Sequence, residues 1–201
     1  MTDAAAWPYR TPGIPDREFH RIPGIPLSNR EVRVLLLSQL RLPRQGCLWD
    51  IGAGTGTIAV EAGLLCPELT IYAIERDGDV IDLIHRNCQK FGVTNVEIVQ
   101  GNAPECLAEL RHPPDRICLE GGKSIGELLV KCWGYLVAEG RLVATAGSLE
   151  TLYALSEGLS AVQARQIDVI QSAVNRLEMK GLSQKLVPLD PVFLLSGAKM
   201  D

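Results

Sequence analysis

The stretch Asp50-Ile51-Gly52-Ala53-Gly54-Thr55-Gly56 decides how the rest of the chain is read. Ahead of it, Cys47-Leu48-Trp49 is an apolar run of the kind found in a strand buried on both faces. Behind it, Thr57-Ile58-Ala59-Val60-Glu61-Ala62-Gly63-Leu64-Leu65 reads as a helix whose first-turn N–H groups lack partners and point back at the glycines. A strand, a turn that glycines make and a helix N-terminus together form a ligand cradle. Backbone approaches closely there, and the unpaired donors favour negative groups. The glycine spacing is G-x-G-x-G after an aspartate, not the G-x-G-x-x-G of dinucleotide sites.

At these residues the chain resembles the class I S-adenosylmethionine-dependent methyltransferases, whose first motif is an acidic residue followed by G-x-G-x-G. The resemblance implies S-adenosyl-L-methionine as cofactor, with Asp50, Gly52, Ala53, Gly54, Thr55 and Gly56 around its methionine part. A tight βα turn in another α/β protein is the alternative. Some twenty residues on, Leu69-Thr70-Ile71-Tyr72-Ala73-Ile74 reads as a strand ending in Glu75, followed by Arg76. That is the distance at which an acid reaches a ribose in nucleotide-binding α/β folds. Glu75 can accept from both ribose hydroxyls, and a solvated strand-end acid is the alternative.

The chain has 201 residues, which suits one domain spanning 1–201 around one core. Hydrophobic residues at 46% and charged residues at 22% are globular values. No apolar run approaches the roughly 18 residues of a membrane span, and no signal-peptide pattern opens the chain, so a cytoplasmic location is expected. Cys47, Cys66, Cys88, Cys106, Cys118 and Cys132 stand singly without a C-x-x-C pair, and His20, His85 and His112 lack ligand spacing. Buried thiols and no metal are therefore expected. The net charge of −4 weighs against a nucleic-acid partner. Arg10, Arg17, His20, Arg21, Arg30 and Arg33 nevertheless crowd the leading segment, which suits a compact polyanion or is simply a solvated surface.

Residues 1–27 hold repeated prolines and glycines and read as an extended arm or lid. Ser28-Asn29-Arg30-Glu31 has the spacing of a capping box, starting a helix with Val32, Leu35, Leu36 and Leu40 at helical spacing. Gly13-Ile14-Pro15-Asp16-Arg17-Glu18-Phe19, Ser28-Asn29-Arg30-Glu31-Val32-Arg33 and Leu37-Ser38-Gln39-Leu40-Arg41-Leu42 look like the opening of the CbiT-type proteins of corrin (vitamin B12) biosynthesis. These are the decarboxylating, carbon-15-methylating component of precorrin-6Y C5,15-methyltransferase. A Thr-Lys-Glu-Val-Arg run usually stands at Ser28 to Arg33 in that family, and its hydroxyl lies by the cofactor, a role the resemblance passes to Ser28.

After a third strand at Val96–Gln100, Gly101-Asn102-Ala103 stands where the family places adenine contacts; Asn102 is equally placed to cap the short helix at Glu105 to Leu110. Pro114 to Leu119 is a fourth strand, and Glu120-Gly121-Gly122-Lys123 at its carboxyl end should face the methyl group. A fifth strand, Gly140 to Ala146, leads to Ser148, which caps the next helix and can also meet substrate. Trp133 reads as core. Gln166 to Met179 and Pro191 to Ala198 read as two antiparallel strands, with Gly181 to Pro188 a hairpin loop that packs on another subunit.

The resemblance implies a three-layer, Rossmann-like α/β fold with a seven-stranded, mostly parallel sheet in order 3-2-1-4-5-7-6 and an antiparallel last strand. It also implies a homotetramer. Its reaction is loss of CO2 from the carbon-12 acetate of a precorrin and methylation of carbon 15, with the substrate's own conjugated ring as electron sink. Arg17, Arg21 and Lys123 are candidates for binding substrate carboxylates. A separate carbon-5 methyltransferase is the expected partner, with no nucleic acid and no membrane. The alternatives are methylation of another small molecule, a protein or tRNA on the same scaffold, or a cofactor-binding subunit without catalysis.

Overall fold

The computed structural model describes residues 7–122, 124–181 and 183–200. Its strands are β1 (Gly46–Ile51), β2 (Leu69–Glu75), β3 (Val96–Gln100), β4 (Arg116–Leu119), β5 (Arg141–Ala146), β6 (Arg165–Ser172), β7 (Asn175–Lys180), β8 (Ser183–Pro188) and β9 (Val192–Ala198). Its helices are α1 (Arg30–Leu40), α2 (Thr57–Leu65), α3 (Gly78–Phe91), α4 (Ile125–Tyr135) and α5 (Leu149–Ala161). The main sheet runs β3-β2-β1-β4-β5-β9-β6. Numbered within that sheet alone, this is the expected 3-2-1-4-5-7-6, with β9 antiparallel to both neighbours.

Side-chain alternation along the strands divides the core into two layers. Leu48, Ile71, Ala73, Cys118 and Val143 face α1, α2 and α3; Trp49, Ile51, Tyr72, Ile117, Leu119 and Leu142 face α4 and α5. Strands covered on both faces lose the polar half of their pattern, which is why β1 and β4 read as continuous apolar runs. Helix α2 is buried from Thr57 through Gly63, so its apolar residues go all the way round rather than along one stripe. Trp133 is buried between α4 and α5, as expected.

Three local expectations are corrected. The capping box does not form: Asn29 is the N-cap of α1 and makes no side-chain cap bond, while Asp16 from the arm accepts from the Arg30 N–H at 2.9 Å. Glu31 instead binds Arg176 at 2.5 Å. The spacing was right for a box, but a distant carboxylate supplied the acceptor and a distant guanidinium took the glutamate.

The arm is no free lid. Ile14 and Phe19 are in the core, and the buried Arg33 guanidinium ties the segment down through Glu61 at 2.8 Å, Asp16 at 2.7 Å and the carbonyls of Ser28 and Ile14. Glu61 also accepts from the N–H groups of Gly13 and Ile14. Finally, the segment read as one long strand and a loop is a strand plus a separate hairpin. The strand is interrupted at Ala173 and Val174, between β6 and β7, and Ser183–Pro188 is a strand paired with β7 in its own two-stranded sheet.

Candidate functional site

The carboxyl ends of the parallel strands open into a cavity of about 840 Å³. It lies where strand order reverses, between β1 and β4, the position at which open α/β sheets bind ligands. Of the predicted cofactor residues, Ser28, Gly52, Ala53, Gly54, Thr55, Glu75, Arg76, Gly101, Asn102 and Ala103 line it. Gly56 lies behind the wall as the N-cap of α2, and Asp50 is wholly buried beneath the loop.

The loop geometry follows from its glycines. Gly52 has φ of +79°, and a Cβ there would meet the Glu120 carbonyl oxygen at 2.1 Å. The N–H groups of Gly52 and Ala53 both donate to the Ile74 carbonyl, at 3.0 and 3.1 Å, which fixes the loop against β2. Glu75 is aimed by backbone: it accepts from Gly54 N–H at 3.1 Å, Arg76 N–H at 2.8 Å and Asp77 N–H at 3.2 Å. A carboxylate held this way keeps one lone pair, on Oε2, for a ribose hydroxyl without having to reorient. Thr55 donates to the Pro26 carbonyl at 3.0 Å, joining the loop to a roof of Ile25, Pro26 and Leu27. Loop, aimed carboxylate and roof together fit a nucleoside carrying an amino acid. Asn102 donates to Glu105 at 2.7 Å while lining the cavity, so it supports the turn after β3, and the cap of that short helix is Pro104.

The substrate-side candidates fare differently. Arg17 and Arg21 are exposed and absent from the cavity wall; the turn at Asp16–Glu18 sends Ile14 and Phe19 inward and the arginines out. The roof over the cavity is therefore apolar rather than cationic, and among the cavity's described lining residues the positive charge is Arg76, beside Glu75. Lys123 lies outside the described residues. Ser148 caps α5 by accepting from Thr151 N–H at 3.2 Å and is not part of the wall. Thr145, Gly147 and Val192 line the cavity instead, brought there by β5 and β9. Nothing local in their sequence marks them.

The far wall carries a carboxyl. Glu120 accepts from Ser28 Oγ at 2.5 Å and Thr145 Oγ1 at 3.4 Å. Burial raises its pKa, opposed by those two hydroxyls and by the charge of Arg33. Beneath it Asp50 is buried with the Ala59 N–H and the Cys118 thiol turned toward its oxygens, neither at full hydrogen-bonding geometry. Burial, and then the charge of Glu120, push Asp50 well above the usual carboxylate range. Cys118 is driven up by the same burial, and a ligand-capable atom of each of the three lies within 4.8 Å of the others. Burial thus favours the protonated forms of Asp50 and Cys118.

Against known proteins, the profile described as the precorrin methyltransferase domain matches residues 23–199. The chain belongs to the precorrin methyltransferase family. Within that family it is 40% identical over 193 residues to a probable cobalt-precorrin-6B C(15)-methyltransferase (decarboxylating) of Pyrobaculum calidifontis, covering 95% of this chain and 98% of that one. Its fold superposes on the precorrin-6Y C5,15-methyltransferase of Geobacter metallireducens with a TM-score of 0.83 at 33% identity, over 96% of this chain and all of that one. The C-terminal domain of the Rhodobacter capsulatus precorrin-6Y C5,15-methyltransferase gives 0.83 at 28% identity, with 95% of this chain and 100% of that domain covered. The seven-stranded architecture seen here is thus that of the family.

Proposed function

We propose that this chain is the decarboxylating carbon-15 methyltransferase of corrin biosynthesis, with S-adenosyl-L-methionine as methyl donor and a precorrin as acceptor. One cavity carries this reading, because it joins a glycine loop and a backbone-aimed Glu75 on one side to Ser28, Thr145 and Glu120–Gly122 on the other. When bound, the cofactor supplies an electrophilic methyl on sulfur. The protein's part is positional. Glu75 and the loop hold the nucleoside, the roof of Ile25, Pro26 and Leu27 keeps water out, and the wall of Gly121, Gly122, Thr145 and Gly147 is left to the macrocycle.

The chain reads as one methyltransferase domain, because β9 near its end pairs with β5 in the main sheet and Arg176 of β7 binds Asp16 of the leading arm at 2.9 Å. Transfer to carbon 5 is assigned to a separate partner protein, since the Pyrobaculum calidifontis relative, covered over 98% of its length, is named for carbon 15 alone. A homotetramer is supported by apolar residues left exposed on β6, β7 and β8, namely Ile167, Val169, Leu177, Met179 and Leu186. Cytoplasmic residence is supported by six unpaired cysteines, and among the described residues no helix is long and apolar enough to cross a membrane. Incubating the protein with methyl-labelled S-adenosylmethionine and a precorrin tests the assignment by mass spectrometry. A product heavier by one methyl and lighter by CO2 is expected; cofactor binding without product would leave a scaffold protein.

A further inference from the structure

Glu120 has no part in the positioning just described, yet separate elements converge on it. Its N–H donates to the Ile51 carbonyl at 3.0 Å, which fixes it at the carboxyl end of β4. Ser28, from the chain ahead of α1, and Thr145, from β5, both donate to its Oε1. Behind it stands Asp50, fully buried, with the Ala59 N–H and the Cys118 thiol turned toward its oxygens. Two carboxylates this close, one of them dry, do not both hold charge, so the pair keeps a proton in reserve. Glu120 is the member of the pair that opens to the cavity. Because β1 separates β4 from β2, it stands two strand spacings, roughly 10 Å, from Glu75. That is the side away from the carboxylate that would hold the ribose, toward which a bound cofactor would present its methyl.

The assigned reaction leaves one proton to be moved, and the inference rests on that assignment. As the bond to CO2 breaks, its electron pair passes through the ring to carbon 15, which bonds the methyl as the carbon–sulfur bond breaks. Carbon 12 is left with an exocyclic C=CH2, and carbon 15 still carries its hydrogen. We propose that Glu120 transfers this proton. Its carboxylate takes the hydrogen of carbon 15, and the C–H pair re-enters the conjugated ring. The exocyclic double bond moves into the ring, and its carbon takes the proton from the Glu120 carboxyl to become a methyl group. No proton is gained or lost, and Glu120 ends as it began. A positioned carboxyl in this role contributes about 100-fold or more in rate.

The test compares wild type with Glu120→Gln and Glu120→Asp, following product by absorbance and NMR and cofactor affinity by calorimetry. With Glu120→Gln, cofactor affinity should stay within about threefold of wild type, and final product should form about 100-fold more slowly or worse. A methylated, decarboxylated intermediate with vinylidene protons should accumulate. Glu120→Asp, which keeps the carboxyl, should restore much of the loss and consume that intermediate. Wild-type turnover matched by Glu120→Gln overturns the inference and spares the functional assignment. So does loss of cofactor binding in folded Glu120→Gln, or an aspartate variant no better than the glutamine one. A wild-type protein that leaves the precorrin unchanged overturns both.

Discussion

Gly52 and Gly54 sit two residues apart in the same loop, and the structure gives them different jobs. At Gly52 an added Cβ overlaps the backbone of Glu120, which cannot move without shifting β4. Gly52→Ala should therefore cost about 3 kcal/mol or more, read as a fall in the urea midpoint. At Gly54 the nearest atom is the Pro26 carbonyl oxygen at 3.6 Å, an ordinary contact, so Gly54→Ala should cost only about 1–2 kcal/mol for its left-handed φ. Its Cβ would enter the cavity, and the larger effect should be on cofactor affinity. Glu75→Ala removes the acceptor of three backbone N–H groups together with the proposed ribose partner. A 10- to 100-fold weaker Kd for S-adenosylmethionine, measured by calorimetry, is expected; an unchanged Kd would remove Glu75 from the site.

Among the elements, the latch between arm, α1 and hairpin has the clearest pH signature. Burial opposes ionisation of Glu31, but hydrogen bonds from Arg176, from its own backbone and from Arg30 hold its pKa down to about 2. Asp16 is likewise lowered: burial opposes it, and Arg33 and Arg176 outweigh the burial. A depressed folded pKa means that the unfolded chain binds more protons. The stabilisation is thus complete above the ordinary carboxylate values of 4.5 and 3.8 and is lost as pH falls towards about 2. Arg176→Ala should cost about 1 kcal/mol at neutral pH, a modest figure because the pair is partly exposed and screened. It should also flatten the dependence of the urea midpoint on pH across that acid range. A pH slope equal to wild type would show that the hairpin is held by other contacts.

At the scale of the molecule, the β7–β8 hairpin presents Leu177, Met179 and Leu186 to solvent, each more than half exposed. Exposed apolar strands of this kind call for a cover. Changing all three to serine should leave the monomer's stability within about 1 kcal/mol and convert the proposed tetramer to smaller species in light scattering; an unchanged mass would place the interface elsewhere. The parallel half of the sheet, the glycine loop and Glu75 were legible because they depend on local rules: apolar runs for buried strands, left-handed turns for glycine, one acid at the next strand's end. Strand β3 was read at Val96–Gln100 and found there, and α2 at Thr57–Leu65 likewise. Partners far apart in the chain were not legible. Ser28 and Glu31 had the spacing of a cap, yet one bonds a residue 92 positions away and the other a residue 145 away. Arg17 and Arg21 looked like substrate anchors until the turn around Asp16 sent them outward. What the sequence alone determined is therefore the scaffold and the glycine loop with an acid one strand over, since apolar runs, glycine turns and strand-end acids are marked by residue type and spacing. The tertiary structure alone decided the far wall of the cavity, where Ser28, Thr145 and Glu120 meet above a dry Asp50, because charges and hydroxyls choose partners by distance in space and by access to water.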